Sequence, residues 1–113
     1  MPDLFFSQAL TANQNDFRPL ANWRYRRLPY RALITILLRA TTTGARVDIL
    51  TGTTEVVQRS PIQGGGTAGV TPSPLNTPVI QFVAEPGDEL DVAIDEVAAG
   101  TPTVDGWVNA EPA

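Results

Sequence analysis

The amino-acid sequence predicts an all-β fold, a jelly-roll or related Greek-key β-sandwich of about seven or eight strands. Short segments alternate between apolar and polar residues, and turns that contain Gly or Pro separate them. No segment shows the apolar period of a long amphipathic helix. The 113 residues suffice for one domain with a real core. We predict an extended N-terminal arm over residues 1–16 and a single β-sandwich domain over residues 17–113.

Residues 30–40 form the clearest predicted strand. Ile34 and Ile36 lie on one face, while Leu33 and Leu37 lie on the other. Because neither face is wholly polar, we expect this strand to lie in the middle of a sheet. A helix is the competing interpretation of so long an apolar run, but the β-branched residues and the flanking Pro and Gly favour a strand.

The same alternation predicts the other strands. Within residues 89–96 we expect Leu90, Val92 and Ile94 to point inward and Asp95 to point outward. Further strands are expected at residues 46–50, 54–59, 79–84 and 101–109, with an edge strand at 23–28 and tight turns at 51–53 and 85–88.

The composition removes the commonest catalytic chemistries. The chain has no Cys and no His, so disulfides, thiolate nucleophiles, Ser-His sites and His-ligated metals are all excluded. We therefore expect no enzymatic activity, no cofactor and no metal. We also find no apolar run of about 18 residues that would span a membrane, and no secretory signal at the N-terminus.

A run of acidic residues is the remaining candidate for carboxylate chemistry or Ca²⁺ binding. Glu89 and Asp91 share a strand face about 7 Å apart, within the range of glycosidase carboxylate pairs, but one strand face is not a cleft. Asp91 and Asp95 lie roughly 13 Å apart along the strand, too far for one ion. We interpret the run as a solvated strand face made by Asp88, Glu89, Asp91, Asp95 and Glu96.

The charge is divided unevenly along the chain. Residues 1–60 hold eight arginines and four acids, a net charge of +4, and residues 61–113 hold eight acids and no base, a net charge of −8. Two interpretations are open. The basic part of one subunit can meet the acidic part of a neighbour, or the two halves can neutralise each other within one sandwich.

Three groups of residues are candidate contacts with other protein subunits. The first is an apolar cluster near the N-terminus, which could instead fold back over the sandwich. The second interleaves aromatic residues with Arg, types enriched at interface hot spots, and the net acidity disfavours nucleic acid as its partner. The third is a Gly run inside a loop too long for a simple connection. These groups are Leu4, Phe5 and Phe6; Trp23, Arg24, Tyr25, Arg26 and Arg27; and Gly64, Gly65 and Gly66.

Two stretches carry a resemblance to a known family. From NWRYRRLPYRALITILLRA through VQRSPIQGGGTAGVTPSPLNTPVIQFVAEPGDEL, the chain resembles small tailed-phage head decoration (cement) proteins of jelly-roll type. The resemblance covers roughly residues 20–109 and includes no catalytic motif. The PGDEL turn is also similar to a cupin turn, but cupin enzymes need His ligands for their metal, and this sequence has none.

The resemblance implies a structural virion protein that bridges major capsid proteins and stabilises the phage head. It further implies a homotrimer at threefold or quasi-threefold points of the capsid surface, made in the host cytoplasm, with no membrane contact and no direct contact with nucleic acid. The alternative is a carbohydrate- or receptor-binding module of a virion fibre or base plate. In that case aromatic rings would stack on sugars, the candidates being Trp23, Tyr25, Tyr30 and Trp107.

Overall fold

The computed structural model describes residues 3–12, 17–21, 23, 25–52, 54–64, 69, 79–97 and 100–112. These residues form seven strands and no helix, which confirms the all-β prediction. The strands are β1 (Asp3–Ala9), β2 (Ala32–Ala40), β3 (Ala45–Thr51), β4 (Thr54–Pro61), β5 (Val79–Ala84), β6 (Leu90–Glu96) and β7 (Thr103–Pro112).

The strands make two antiparallel sheets with jelly-roll topology. The four-stranded sheet has the order β1-β7-β2-β5, and the three-stranded sheet has the order β4-β3-β6. The chain at Phe17 lies beside β6, where the Phe17 and Ile94 backbones exchange hydrogen bonds of 3.0 and 2.9 Å. Phe17 thus occupies the eighth strand position of a jelly roll, reduced to a single bridge.

Part of the predicted N-terminal arm lies in the sandwich. Residues 3–9 form β1, which pairs with β7 along its whole length. Leu4 and Phe6 pack against the core, whereas Phe5 points away from it and is 40% exposed. The two-residue period explains this arrangement, because only every second residue of a strand faces the core.

The core lies between the two sheets. As predicted, β2 is central, between β7 and β5, and its residues Ile34 and Ile36 are almost fully buried. The strand of residues 46–50 is confirmed within β3, with Val47 and Ile49 inward. The predicted edge strand at 23–28 is reduced in the described residues to a bridge between Arg27 and Glu89.

Strand β6 differs from the prediction in its polar residues. Leu90, Val92 and Ile94 are buried as expected, but Asp95 is only 9% exposed and Glu96 only 1%. Asp95 lies opposite Arg46 of β3 in the strand register. Glu96 continues the inward face at the end of the strand, and its Oε1 accepts a hydrogen bond of 3.0 Å from the Gly100 amide. This end of the acidic run is therefore buried and not a solvated face.

Two of the predicted turns depend on Gly in a left-handed conformation. Gly52 joins β3 to β4 with φ of 60°, and Gly87 has φ of 85°. The Asp88 amide donates to the Glu85 carbonyl over 3.1 Å and closes the second turn. Side chains larger than hydrogen strain the backbone at such φ values, so both positions require Gly.

Gly106 of β7 allows the first strand to pack closely. A methyl group built at Gly106 would overlap the Phe6 ring and lie 2.9 Å from Cδ2 of Leu38. We expect Gly106→Ala to lower the free energy of unfolding by about 1–3 kcal/mol, because a tightly packed core resists added volume. Urea unfolding followed by far-UV circular dichroism measures the change.

Gly100→Ala is the matched control. A methyl group there would meet its nearest atoms at 3.8 Å, an ordinary contact distance, and the unfolding free energy should change by less than about 0.5 kcal/mol. Equal stability of the Gly106→Ala variant and the unchanged protein would contradict the close contact between Phe6 and β7.

Candidate interaction surfaces

The segment of residues 17–31, which we call the arginine segment, is fixed to the turn that precedes β6. The Leu28 amide donates to the Asp88 carbonyl over 3.1 Å, and the Gly87 amide donates to the Leu28 carbonyl over 2.8 Å. The Leu90 amide donates to the Arg26 carbonyl over 2.6 Å. These backbone bonds bring the basic half of the sequence against the acidic half within one chain.

Ion pairs follow the same path. Glu89 binds both Arg26 and Arg27, the latter over 3.3 Å. Arg18 pairs with Asp91, and Arg31 pairs with Glu85 over 3.3 Å. Four arginines thus neutralise three carboxylates inside one subunit. For these residues the structure favours the second interpretation of the charge division, neutralisation within the sandwich.

The predicted aromatic contacts are used mainly inside the chain. Trp23 and Tyr25 meet edge to face, with ring centroids 5.8 Å apart, and Trp23 packs against the core. The Tyr30 hydroxyl donates to the Ala110 carbonyl over 3.1 Å. Trp107 lies on β7, in a different part of the fold. These four rings do not form one stacking platform. Arg24 lies outside the described residues.

The acidic residues in the described part of the chain show no arrangement for a metal, since no group of three or more acids, Cys or His could hold one there. Asp88 has a structural role, because its Oδ2 accepts a hydrogen bond of 3.1 Å from the Glu85 amide within the turn. Over these same described residues, no helix is long and apolar enough to cross a membrane.

Two described residues of the glycine-rich loop, Gly64 and Gly69, contact the sandwich. A methyl group on Gly64 would lie 2.8 Å from the carbonyl carbon of Thr42, so the two backbones meet closely there. The Gly69 amide donates to Oδ1 of Asp105 over 3.1 Å, and Asp105 is only 2% exposed. The other predicted contacts of this loop, Gly65 and Gly66, lie outside the described residues.

The outward face of the four-stranded sheet carries an apolar row that crosses all four strands. The strand registers place one outward residue of each strand side by side. Its two ends are exposed, at 40% for Phe5 and 45% for Val79, whereas Leu37 is only 3% exposed. We call this set the apolar row; it consists of Phe5, Trp107, Leu37 and Val79.

Polar residues flank the apolar row. Nε1 of Trp107 donates to Oδ2 of Asp3 over 3.0 Å, and Nε2 of Gln81 donates to Oγ1 of Thr35 over 3.3 Å. The Trp107 ring is therefore held in one orientation on the sheet surface. Exposed apolar side chains next to polar groups, such as Phe5 and Val79 here, are typical of protein interaction sites.

Of the apolar row, the sequence predicts Phe5 as a contact with another protein subunit and Trp107 as a candidate for stacking on sugars. The sequence does indicate an apolar outward side chain at Leu37, because both faces of the strand at residues 30–40 carry apolar residues. Leu37 thereby belongs to the face opposite Ile36. The missing information was the register, since Trp107 and Val79 come from strands far away in sequence.

A cavity of about 150 Å³ lies between the sheets near strands β4 and β5. Apolar side chains dominate its lining, which includes Val57, Ile62 and Ile80. Sites for small molecules are usually about 300–1,000 Å³ and contain a few convergent polar groups. This cavity is smaller than such a site.

The ion pairs of Glu89 give a testable stability effect. We expect Glu89→Gln to lower the free energy of unfolding by up to about 1 kcal/mol at low salt, because two arginines lose their charged partner at a partly exposed site. The difference should largely disappear in 1 M NaCl, where charges are screened beyond about 3 Å. Urea unfolding at both salt concentrations measures it.

The control for this experiment is Glu111→Gln on β7, in the other sheet. It removes the same charge from an exposed position and should leave the salt dependence of unfolding unchanged. Identical salt dependence in the two variants would contradict a specific contribution from the Glu89 pairs.

Comparison with known proteins adds no relative. The chain matches no protein-family model, no curated protein and no solved structure. The features that bear on function are the jelly-roll fold, the ion-paired arginine segment and the apolar row.

Proposed function

We propose that this protein is a structural, non-enzymatic subunit of a tailed-phage virion, a head decoration protein that binds the major capsid protein as a homotrimer. The observation that carries the proposal is the apolar row on the outward face of the four-stranded sheet. The resemblance over residues 20–109 names the kind of partner, and the exposed ends of the row, Phe5 and Val79, supply apolar surface on which a protein can dock.

The side chains of this protein are better suited to binding another protein than to catalysing a reaction. The chain lacks imidazole and thiol groups. Glu89 and Asp91, the closest pair of carboxylates on one predicted strand face, are bound to arginines. A general acid or base needs access to substrate, and these carboxylates are instead engaged by Arg26, Arg27 and Arg18.

The proposed mechanism is mechanical. Decoration adds contact area between neighbouring capsid subunits, which then separate less readily under the pressure of packaged DNA. If the protein binds only the expanded shell, it stabilises that shell by about 2.7 kcal/mol per site at a concentration 100 times Kd. The subunit would act at the capsid surface after synthesis in the host cytoplasm, without contacting membrane or nucleic acid.

The test uses empty expanded shells assembled from the major capsid protein encoded in the same phage genome. We expect the purified protein to co-sediment with these shells at saturable stoichiometry. Trp107→Ala should weaken binding at least about tenfold, because a buried Trp anchor contributes strongly to an interface. Glu111→Gln, on the same strand, is the matched control and should bind normally.

Urea unfolding of each variant separates lost binding from lost folding. Failure of the unchanged protein to bind shells would contradict the proposal. Trp107-dependent binding on a glycan array, without shell binding, would favour the carbohydrate-binding alternative.

A further inference from the structure

Among the residues that the structure describes, nothing protects the two edges of the four-stranded sheet against pairing with another chain. Residues 4–9 of β1 and all six residues of β5 carry no charge and no Pro, and each pairs with its neighbour in an unbroken register. Natural edge strands are normally blocked by charged side chains, Pro or bulges. In the described part of the chain, no strand lies beyond β1 or beyond β5.

The edges of the three-stranded sheet, by contrast, are protected. Its edge strand β4 carries the exposed Glu55, ends at Pro61 and has register irregularities against β3. On its other side, β6 is covered at Ile94 by the bridge to Phe17. Over the described ranges, protection against sheet extension is therefore present in the three-stranded sheet and absent from both edges of the four-stranded sheet.

We infer that β1 of one copy pairs antiparallel with β5 of a second copy, and that this contact joins the copies head to tail. The inference rests on the homotrimer of the proposed function and assigns the two strands that form the contact between its copies. Residues 4–9 of β1 and the six residues of β5 bring no charge to the contact. Asp3 begins β1 and Glu85 follows β5, so these two acids lie at one end of the contact, where Arg31 already binds Glu85 over 3.3 Å.

The direction of the strands fits this pairing. Each strand of the four-stranded sheet is antiparallel to its neighbours in the order β1-β7-β2-β5. The two edges therefore run in opposite directions. A copy that repeats the sheet beyond β5 presents its β1 antiparallel to β5, which allows a regular ladder.

The lengths and side chains also match. Full overlap aligns residues 4–9 with Val79–Ala84, and the alternation then places Phe5 opposite Val83 on the outward face. These residues are 40% and 45% exposed in the single chain. An aromatic ring facing a β-branched side chain across two strands is a favourable pair. The contact thus covers two of the large apolar side chains that the subunit exposes.

Head-to-tail pairing uses both unprotected edges. A twofold pairing of β5 with another β5 would leave β1 unprotected in every copy. Repeated head-to-tail contacts close into a ring when the rotation between copies permits it. A ring of three agrees with the homotrimer of the proposed function.

Sedimentation equilibrium of the purified full chain at micromolar concentration tests the inference. We expect the unchanged protein to have three times the 12.1 kDa mass of the chain. Val83→Lys blocks the β5 edge and Phe5→Lys blocks the β1 edge, so each variant should have the mass of one chain. Val97→Lys, at an equally exposed apolar residue outside the sheet, is the control and should remain trimeric.

Mixing the two monomeric variants identifies the type of contact. Val83→Lys keeps an intact β1 edge and Phe5→Lys keeps an intact β5 edge, so the mixture should form a one-to-one dimer and nothing larger. Urea unfolding verifies that both variants are folded. A monomeric unchanged protein, a trimeric Phe5→Lys variant or a mixture without dimers would each overturn the inference.

Shell binding, measured separately, distinguishes this inference from the proposed function. Rings that form through β1 and β5 but do not bind shells would support the strand pairing and contradict capsid decoration. Shell binding by a protein that is monomeric in solution would support capsid decoration and contradict the strand pairing.

Discussion

Every strand of this protein is constrained by the narrow space between its two sheets. A side chain that points into this space must be apolar or fully bonded, because nothing there replaces the hydrogen bonds of water. Ile34, Ile49, Ile94 and Val108 meet the requirement and are almost completely buried. The residues between them point away from this space and need not meet the requirement. They include the charged residues, the apolar row and the residues that contact the arginine segment.

The alternation also explains how much of the fold could be predicted from the sequence. The central strand, the turn at 85–88 and the inward residues of β6 each depend on neighbouring residues, and the structure confirms them. The burial of Asp95 and Glu96 could not be predicted in this way. It depends on β3 and on the chain near Gly100, which local sequence does not specify.

The candidate surfaces also combine features that the local sequence predicts with features that it does not. Composition singles out Arg with aromatic side chains as candidate contacts, but it does not show that Arg26 and Arg27 bind Glu89 of their own chain. Likewise Phe5, Trp107 and Val79 come from three distant segments and become neighbours only through the strand registers. Long-range pairing, which a single sequence does not display, creates both surfaces.

The single bridge at Phe17 has a consequence for the number of neighbours that a subunit can accept. A sandwich of two open sheets has four edges and could link copies into a branched network. Here the chain at Phe17 covers one edge of the smaller sheet, and charge, Pro61 and irregular register obstruct the other. In the part of the chain that the structure describes, only the β1 and β5 edges remain open. Subunits that can each pair through two edges would form linear chains or closed rings but not a branched gel.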